Sequence, residues 1–438
     1  MTDADHPDAG TIQSRQLAML RSLLGQLRRG NRFYGPRLES ATLGDDVESL
    51  DAFIRRMPLT TKTQVVEDQR RHPPFGTNLT YPIEAYTRFS QTSATTAEPM
   101  RWLDTPQSWS WMLDCWQQIY DACGVTASDR VFFAFSFGPF LGFWTAFDAA
   151  TRMGCLCIPG GGMGSAARLH ALMDNQATVL CCTPTYALHL GQVAAEQGID
   201  LGPSRIRAVI VAGEPGGSVP ATRSAIEHSF PGARVYDHHG MTEVGPVTYQ
   251  CPARVGLLHV LEPAFLAEVL DPATFNGDKG HGRSVDPGDT GELVLTTLGR
   301  TGSPLLRYRT GDIVRPLERS PCPCGCALTS LEGGILGRLD EMLIVRGVNL
   351  FPTAVDEVIR ARGGTSEYRV TVTGREGLAE IEIEIEPEQP CPDADELCER
   401  IQADLRRTFQ LRVPVRSVAP GALPRFEMKA RRWVRVNY

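Results

Sequence analysis

The sequence predicts an α/β protein in two parts. A large amino-terminal domain carries a doubly wound parallel sheet and a β-barrel-like subdomain, and a small carboxy-terminal α+β domain follows. Three observations carry this prediction. Between residues 130 and 240, short apolar runs alternate with helical stretches, the signature of a parallel sheet covered on both faces. After about residue 252 the pattern becomes period-two alternation, as in antiparallel strands. Beyond the charged turn "GRLDE" (337–341), about 100 residues have the elements of an independent unit. At 438 residues the chain exceeds the usual size of one domain.

Residues 1 to about 80 read as mixed, with helical stretches and many arginines. "RVFFAFSF" (130–137) is the first strand of the sheet and "LGFWTAFDAATRMG" the helix after it. "CLCIP", "TVLCCTP", "RAVIVAGEP" and "ARVYDHHG" are the next strands, separated by the helical "SAARLHALMDN", "YALHLGQVAAEQG" and "PATRSAIEHSF". Ligands of such sheets bind beyond the carboxyl ends of the strands. Those ends carry "GGGM", "TPTY", "GEPGG" and "DHHGMTE", so four polar or glycine-rich loops converge on one rim. "FLAEVLDP", "GELVLTTL" and "PLLRYRTGDIVRPL" form the barrel-like part. A helix from about Pro352, the hairpin "YRVTVTGREGLAEIEIEIEP", a charged helix around Asp393 to Arg407 and a last strand complete the chain.

Hydrophobic residues make up 42% and charged residues 22%, which suits a soluble globular protein with a large core. The net charge of -7 argues against a nucleic-acid partner. The longest apolar stretch, 131–147, contains two glycines and a proline, so it reads as strand, turn and helix start, not as a membrane span. The acidic start "MTDADHPDAG" lacks the pattern of a secretory leader, and a cytoplasmic location is expected. Twelve cysteines are then expected as reduced thiols. Cys115, Cys123, Cys155, Cys157, Cys181 and Cys182 sit among apolar neighbours and read as small core residues. "CPCGC" places Cys322, Cys324 and Cys326 on one tight turn, a spacing that favours a soft metal.

"TSATTAEP", "GEP", "DHHGMTE", "YRTGD", "GRLDEMLIVRGVNLFP" and the late lysine of "EMKARR" occur in an order and spacing that resemble the adenylate-forming superfamily. Within it, the chain is most similar to phenylacetate–CoA ligases and coenzyme F390 synthetase-like proteins, over nearly all of its length from about residue 80. The resemblance implies residues 1–338 as a domain binding ATP and the acyl substrate, and residues 339–438 as a mobile lid. It implies that a carboxylic acid is activated by ATP to an acyl adenylate and then transferred to a thiol. The thiol is CoA or the phosphopantetheine of an acyl carrier protein, and a non-catalytic binding homologue is the rival from another class. A homodimer stays open.

The same resemblance assigns roles. Asp312 accepts hydrogen bonds from the ribose hydroxyls, and Arg338 contacts ribose or phosphate. Glu243, after Gly240, Met241 and Thr242, is the magnesium ligand, a hard carboxylate suited to a cation bridging phosphates. Gly213, Glu214 and Pro215, with Asp237, His238 and His239, line the adenine, although both histidines could equally be packed at a strand end. Asp340 is the hinge, and "VRGVN" (345–349) helps to form the thiol channel. Lys429 is the catalytic cation, able to neutralise charge on the carboxylate and the α-phosphate. Ser93, Thr95 and Thr96 offer hydroxyls to the phosphates, but Ala94 and Ala97 stand where the family pattern has glycines, and Glu98 where it has lysine. An anion there opposes polyphosphate, so Glu98→Lys is expected to tighten ATP binding.

Relatives also carry a cysteine, a following histidine and a Cys-x-Cys pair. This implies a structural zinc held by Cys251, His259, Cys322 and Cys324, with Cys326 as the competitor of Cys324. "FFAFSFGPFLGFW" and "PGGGM" supply the acyl pocket by resemblance, through Phe137, Phe143, Gly161 and Gly162. Tyr186 and Gly216 are further candidates at the rim. The abundance of aromatic rings suits an aromatic or other apolar acid.

Overall fold

The computed structural model describes residues 8–92, 99–275, 281–346, 348–375, 378–426 and 430–436. Its centre is a five-stranded parallel sheet. From one edge the strands are Leu156–Pro159, Arg130–Phe133, Val179–Cys182, Ala208–Val211 and Arg234–Asp237. Of these five, the first in sequence therefore lies between the second and the third, a doubly wound order whose switch point falls between Arg130–Phe133 and Val179–Cys182.

Alternation along these strands sorts the side chains onto two faces. Val131, Phe133, Val179, Cys181, Ala208 and Ile210 enter one core, with residues of helices Pro106–Ala122 and Leu141–Arg152. Phe132, Leu180, Cys182, Val209 and Val211 enter the other, with residues of helices Ser165–Asp174, Pro184–Gln197 and Pro220–Ser229. Burying a core aliphatic or aromatic side chain stabilises by about 1.5–3 kcal/mol, so both faces contribute heavily. The edge strand departs from the all-buried expectation, because Leu156 has a neighbour on one side only and is 57% exposed.

The first strand is also shorter than "RVFFAFSF" suggests. Ala134 N still bonds to Cys181 O (3.0 Å), but the chain then leaves the sheet and Phe137 adopts a positive φ of 49°. The aromatic run therefore becomes a loop at the switch point.

The amino-terminal segment is helical, as expected. Helix Ala9–Gly30 buries Ile12, Leu20, Leu23, Leu24 and Leu27, and Gln16 Nε2 donates to Glu262 O (2.9 Å) and Phe265 O (2.8 Å). The barrel-like part consists of two antiparallel sheets. One has five strands, including Phe265–Asp271, Gly291–Thr297, Tyr308–Val314 and Gly337–Arg338; the other comprises Thr248–Gln250, Leu257–Val260 and Ser330–Glu332. An isolated bridge between Pro316 and Leu331 joins them.

The carboxy-terminal part has a six-stranded mixed sheet, centred on the hairpin Thr365–Arg375 and Leu378–Pro387. Its own core includes Val355, Ile359, Val370, Ile383, Ile401 and Leu405. Among the described residues, no helix is long and apolar enough to cross a membrane.

Candidate functional site

The "YRTGD" stretch is a strand with a built-in irregularity. Gly311 has φ +78°, and the pairing register with Gly291–Thr297 shifts at this level. A side chain at 311 would be strained and would put a Cβ 3.2 Å from Arg338 Nη2. The bulge is fixed from behind: Glu292 Oε1 accepts from Gly311 N (3.0 Å) and Thr310 Oγ1 donates to Leu293 O (2.7 Å). Its result is to aim Asp312 at the neighbouring strand end. Asp312 is buried, with Arg338 Nη1 at 2.8 Å from Oδ1 and His239 Nε2 at 2.9 Å from Oδ2. Arg338 also donates from Nε to Asp340 Oδ1 (3.0 Å). One guanidinium thus joins the candidate ribose acid to the candidate hinge acid.

The strand end Arg234–Asp237 delivers the next residues. Asp237 Oδ2 accepts from Ser218 Oγ (2.5 Å), and burial pushes its carboxyl up to about 6 against that hydrogen bond. His238 packs edge-on to Trp116, with ring centroids 4.5 Å apart, and burial pushes its imidazole down to about 3. His238 is therefore a neutral packed residue, while its neighbour His239 reaches Asp312. Gly240 and Met241 pair with Gly245 and Pro246 in a small hairpin that carries Thr242 and Glu243 at its turn. Glu243 is buried near Tyr308, whose phenol is pushed up by burial first and by the Glu243 charge second.

Sequence reasoning missed what holds that turn. Arg300 Nη1 donates to the carbonyls of Thr242 (2.7 Å) and Glu243 (2.9 Å), while its Nε and Nη2 each lie 2.7 Å from an Asp104 oxygen. Both side chains of this ion pair are fully buried. The signal was faint: an arginine in "LGRTGSP" and an aspartate after "RWL" share no motif.

At the switch point, Phe135 and Phe143 stack with centroids 4.1 Å apart, and Phe137 meets Trp144 and Phe147 edge-on. A Cβ on Gly161 would lie 3.4 Å from the Phe137 ring, so Phe137, Phe143 and Gly161 are together. Gly162 has φ +76° and open space beside it. Tyr186 is placed differently, in the core between helices, with its hydroxyl 3.1 Å from Ser165 Oγ. Gly216 allows close approach to Pro184, where a Cβ would come within 2.7 Å.

On the rim, Gly213 and Pro215 are exposed. Glu214 between them accepts from Thr185 N (2.9 Å) and from Ala430 N (3.1 Å). Ala430 follows Lys429 directly, so the end of the chain reaches the "GEP" loop. Lys429 itself, and Ser93, Ala94, Thr95, Thr96, Ala97 and Glu98, lie outside the described residues, as does Gly347 of "VRGVN".

A separate cluster lies on the three-stranded sheet. The ligand atoms of Cys251, His259, Cys322 and Cys324 all fall within 4.8 Å of one another. Cys251 Sγ is 3.5 Å from Cys322 Sγ, and Cys324 Sγ is 3.4 Å from His259 Nε2. Ser330 Oγ lies 3.1 Å from His259 Nδ1, which turns the other ring nitrogen toward the thiols. Cys326 faces elsewhere: its sulfur takes bonds from Tyr249 Oη (3.4 Å) and Leu328 N (3.3 Å).

Residues 347–435 match the AMP-binding enzyme C-terminal domain family. The phenylacetate–coenzyme A ligase of Aromatoleum evansii is 31% identical over 405 residues, which span 89% of this chain and 86% of that protein. The chain belongs to the phenylacetate–coenzyme A ligase family. Among solved structures, 2-hydroxyisobutyryl-CoA ligase in its post-adenylation state, bound to an acyl adenylate, superposes with a TM-score of 0.91 at 26% identity, over 100% of this chain and 94% of that one. The same enzyme in its thioester-forming state, with CoA, gives only 0.70, at 26% identity over 100% and 95%. Identity and coverage are nearly constant between the two, so the difference reports the arrangement of the parts. The parts of this chain are therefore arranged more like those of the post-adenylation structure than like those of the thioester-forming one.

Proposed function

We propose that this protein is an AMP-forming acid–CoA ligase: a carboxylic acid and ATP give an acyl adenylate and pyrophosphate, and CoA then displaces AMP. The observation that carries the reading is the linked set His239, Asp312, Arg338 and Asp340 at 2.8–3.0 Å, beside strand ends that also present Glu214 and Asp237. In this reading Asp312 accepts from the ribose hydroxyls and Arg338 orients it while contacting ribose or phosphate. Gly213, Pro215 and Asp237 border the adenine. Glu243 holds Mg²⁺, which would neutralise the phosphates, and Lys429 brings the second positive charge on a lid formed by residues 339–438. Such preorganised charge is worth most in a closed, low-dielectric site.

The clustered rings of Phe135, Phe137 and Phe143, the first stacked on the third and edge-on to the second, favour an aromatic or other apolar acid. CoA is the proposed acceptor because the named relatives are CoA ligases. Cys251, His259, Cys322 and Cys324 form a donor set suited to structural zinc, with four protein ligands and no open position for chemistry.

ATP–pyrophosphate exchange with a panel of aryl, arylacetic and aliphatic acids tests the first half. Exchange with one acid class, lost in Lys429→Ala, is the expected result. Thioester formation is then compared with free CoA and with holo carrier proteins. Exchange with no acid, together with no ATP binding by calorimetry, would make the chain a non-catalytic homologue.

A further inference from the structure

Glu214 has two tasks that a residue merely bordering adenine would not need. Its Oε1 accepts from Thr185 N, in the first turn of helix Pro184–Gln197. Its Oε2 accepts from Ala430 N, across the seam between the large part and the lid. A helix amino terminus offers unsatisfied N–H groups, so the carboxylate is anchored by Thr185 N and its second oxygen is left facing Ala430 N.

The lid side of the contact is rigid. Arg432, two residues beyond Ala430, is bound by Glu367 through Nε–Oε1 (2.5 Å) and Nη2–Oε2 (3.1 Å), and its guanidinium lies over the Tyr368 ring. Its Nη1 lies 3.5 Å from Thr185 Oγ1, a second contact across the same seam. Strand Trp433–Val436 then pairs in parallel with Thr365–Arg375. A pull on Ala430 is therefore transmitted to the whole lid sheet.

We propose that Glu214 is a positioning residue that latches the lid in the arrangement matching the post-adenylation state and fixes the backbone next to Lys429. The inference rests on the ligase reading given above. It deepens that reading by making Glu214 specific to one half-reaction, because the contact with Ala430 belongs to the arrangement matching the post-adenylation state. When the lid moves to form the thioester, the bond to Ala430 is released while the bond to Thr185 stays.

Glu214→Gln tests this with little change of shape. The carboxylate serves two N–H donors with two acceptor oxygens, whereas the amide has one oxygen and an NH₂ that repels the second donor. ATP–pyrophosphate exchange is expected to fall roughly tenfold or more, the scale of a lost hydrogen bond to a charged group. Thioester formation from preformed acyl adenylate and CoA is expected to change by no more than about twofold. Adenosine is bound in both halves, so a role confined to adenine would lower both alike, and that result overturns the latch.

Hydrogen–deuterium exchange of the full-length protein provides a readout free of catalysis. Amides of the peptide around Ala430 should exchange faster in Glu214→Gln than in the wild type. Unchanged exchange there overturns the proposal even if the enzyme is active. Absence of activity in the wild type would strike the ligase reading and leave this comparison intact.

Discussion

Asp312 and Arg338 are register partners across two antiparallel strands, and the same guanidinium that meets Asp312 at 2.8 Å holds Asp340 at 3.0 Å. The pairing is partly buried on the Arg338 side and almost wholly buried on the Asp312 side. A single planar fork can serve two carboxylates in fixed directions, which an ammonium cannot do. The proposed ribose acid and the proposed hinge acid are therefore tied through one side chain.

Arg338→Lys tests this tie. It keeps the charge and loses the fork, so ATP should bind about tenfold more weakly by calorimetry, the scale of one charged hydrogen bond. The thermal midpoint should barely move, because the strand pairing remains. Undiminished ATP affinity would leave Arg338 a structural residue alone.

The buried pair Arg300–Asp104 makes the strongest stability prediction. Asp104→Ala leaves a guanidinium with no countercharge in the core and frees the carbonyls of Thr242 and Glu243 from a fixed donor. Breaking a buried pair from one side costs about 3–5 kcal/mol. Urea unfolding should register that loss, and Mg²⁺-dependent exchange should weaken with it. A loss below about 1 kcal/mol, the value of an exposed pair, would contradict this account.

The fold was legible because its signals are local and repeated. Four of the five strands of the parallel sheet are short apolar runs followed by a helix, and the assignment of residues to the two faces follows from alternation alone. Asp312, Arg338 and Asp340 were legible because they lie in short motifs. Arg300 and Asp104 were not, since they are nearly two hundred positions apart and meet only after the sheets have closed. The early end of the first strand was hidden too. An apolar run says that its residues are buried, but it does not say whether the backbone remains in the sheet or turns to stack its rings. Likewise, "CPCGC" left Cys324 and Cys326 equivalent, and only the turn around Gly325 separates them, sending one sulfur to His259 and the other to Tyr249.

That separation can be checked with metal analysis. Purified protein is expected to carry one equivalent of zinc, which Cys324→Ser should reduce sharply and Cys326→Ser should leave in place. Stripping with a chelator should lower the thermal midpoint, since a closed four-ligand site contributes to folding. Equal retention of zinc in both variants would refute the proposed ligand set. A wild type without zinc under metal-replete expression would refute the site.

Asp237 and His238 are neighbours pushed in opposite directions on the proton scale. Burial raises Asp237 to about 6 from 3.8 and lowers His238 to about 3 from 6.5. Between pH 3.8 and 6, folded Asp237 keeps a proton that the unfolded chain has released, so its contribution to stability falls as pH rises. Between pH 3 and 6.5, unfolded His238 holds a proton that the folded chain lacks, so its contribution falls as pH drops. Each slope approaches about 1.4 kcal/mol per pH unit, and over the shared window they cancel. Single variants should therefore unmask them. Asp237→Asn should lose stability relative to the wild type on acidification from about 6 to 3.8, the Asp237 window, because His238 titrates alike in both proteins. His238→Phe keeps the ring against Trp116 and removes an Nδ1 that has no hydrogen-bond partner among the described residues. It should lose stability relative to the wild type as pH rises from about 3 to 6.5, the His238 window. Urea midpoints measured across that range decide the matter, and parallel profiles for all three proteins would show that neither shift exists.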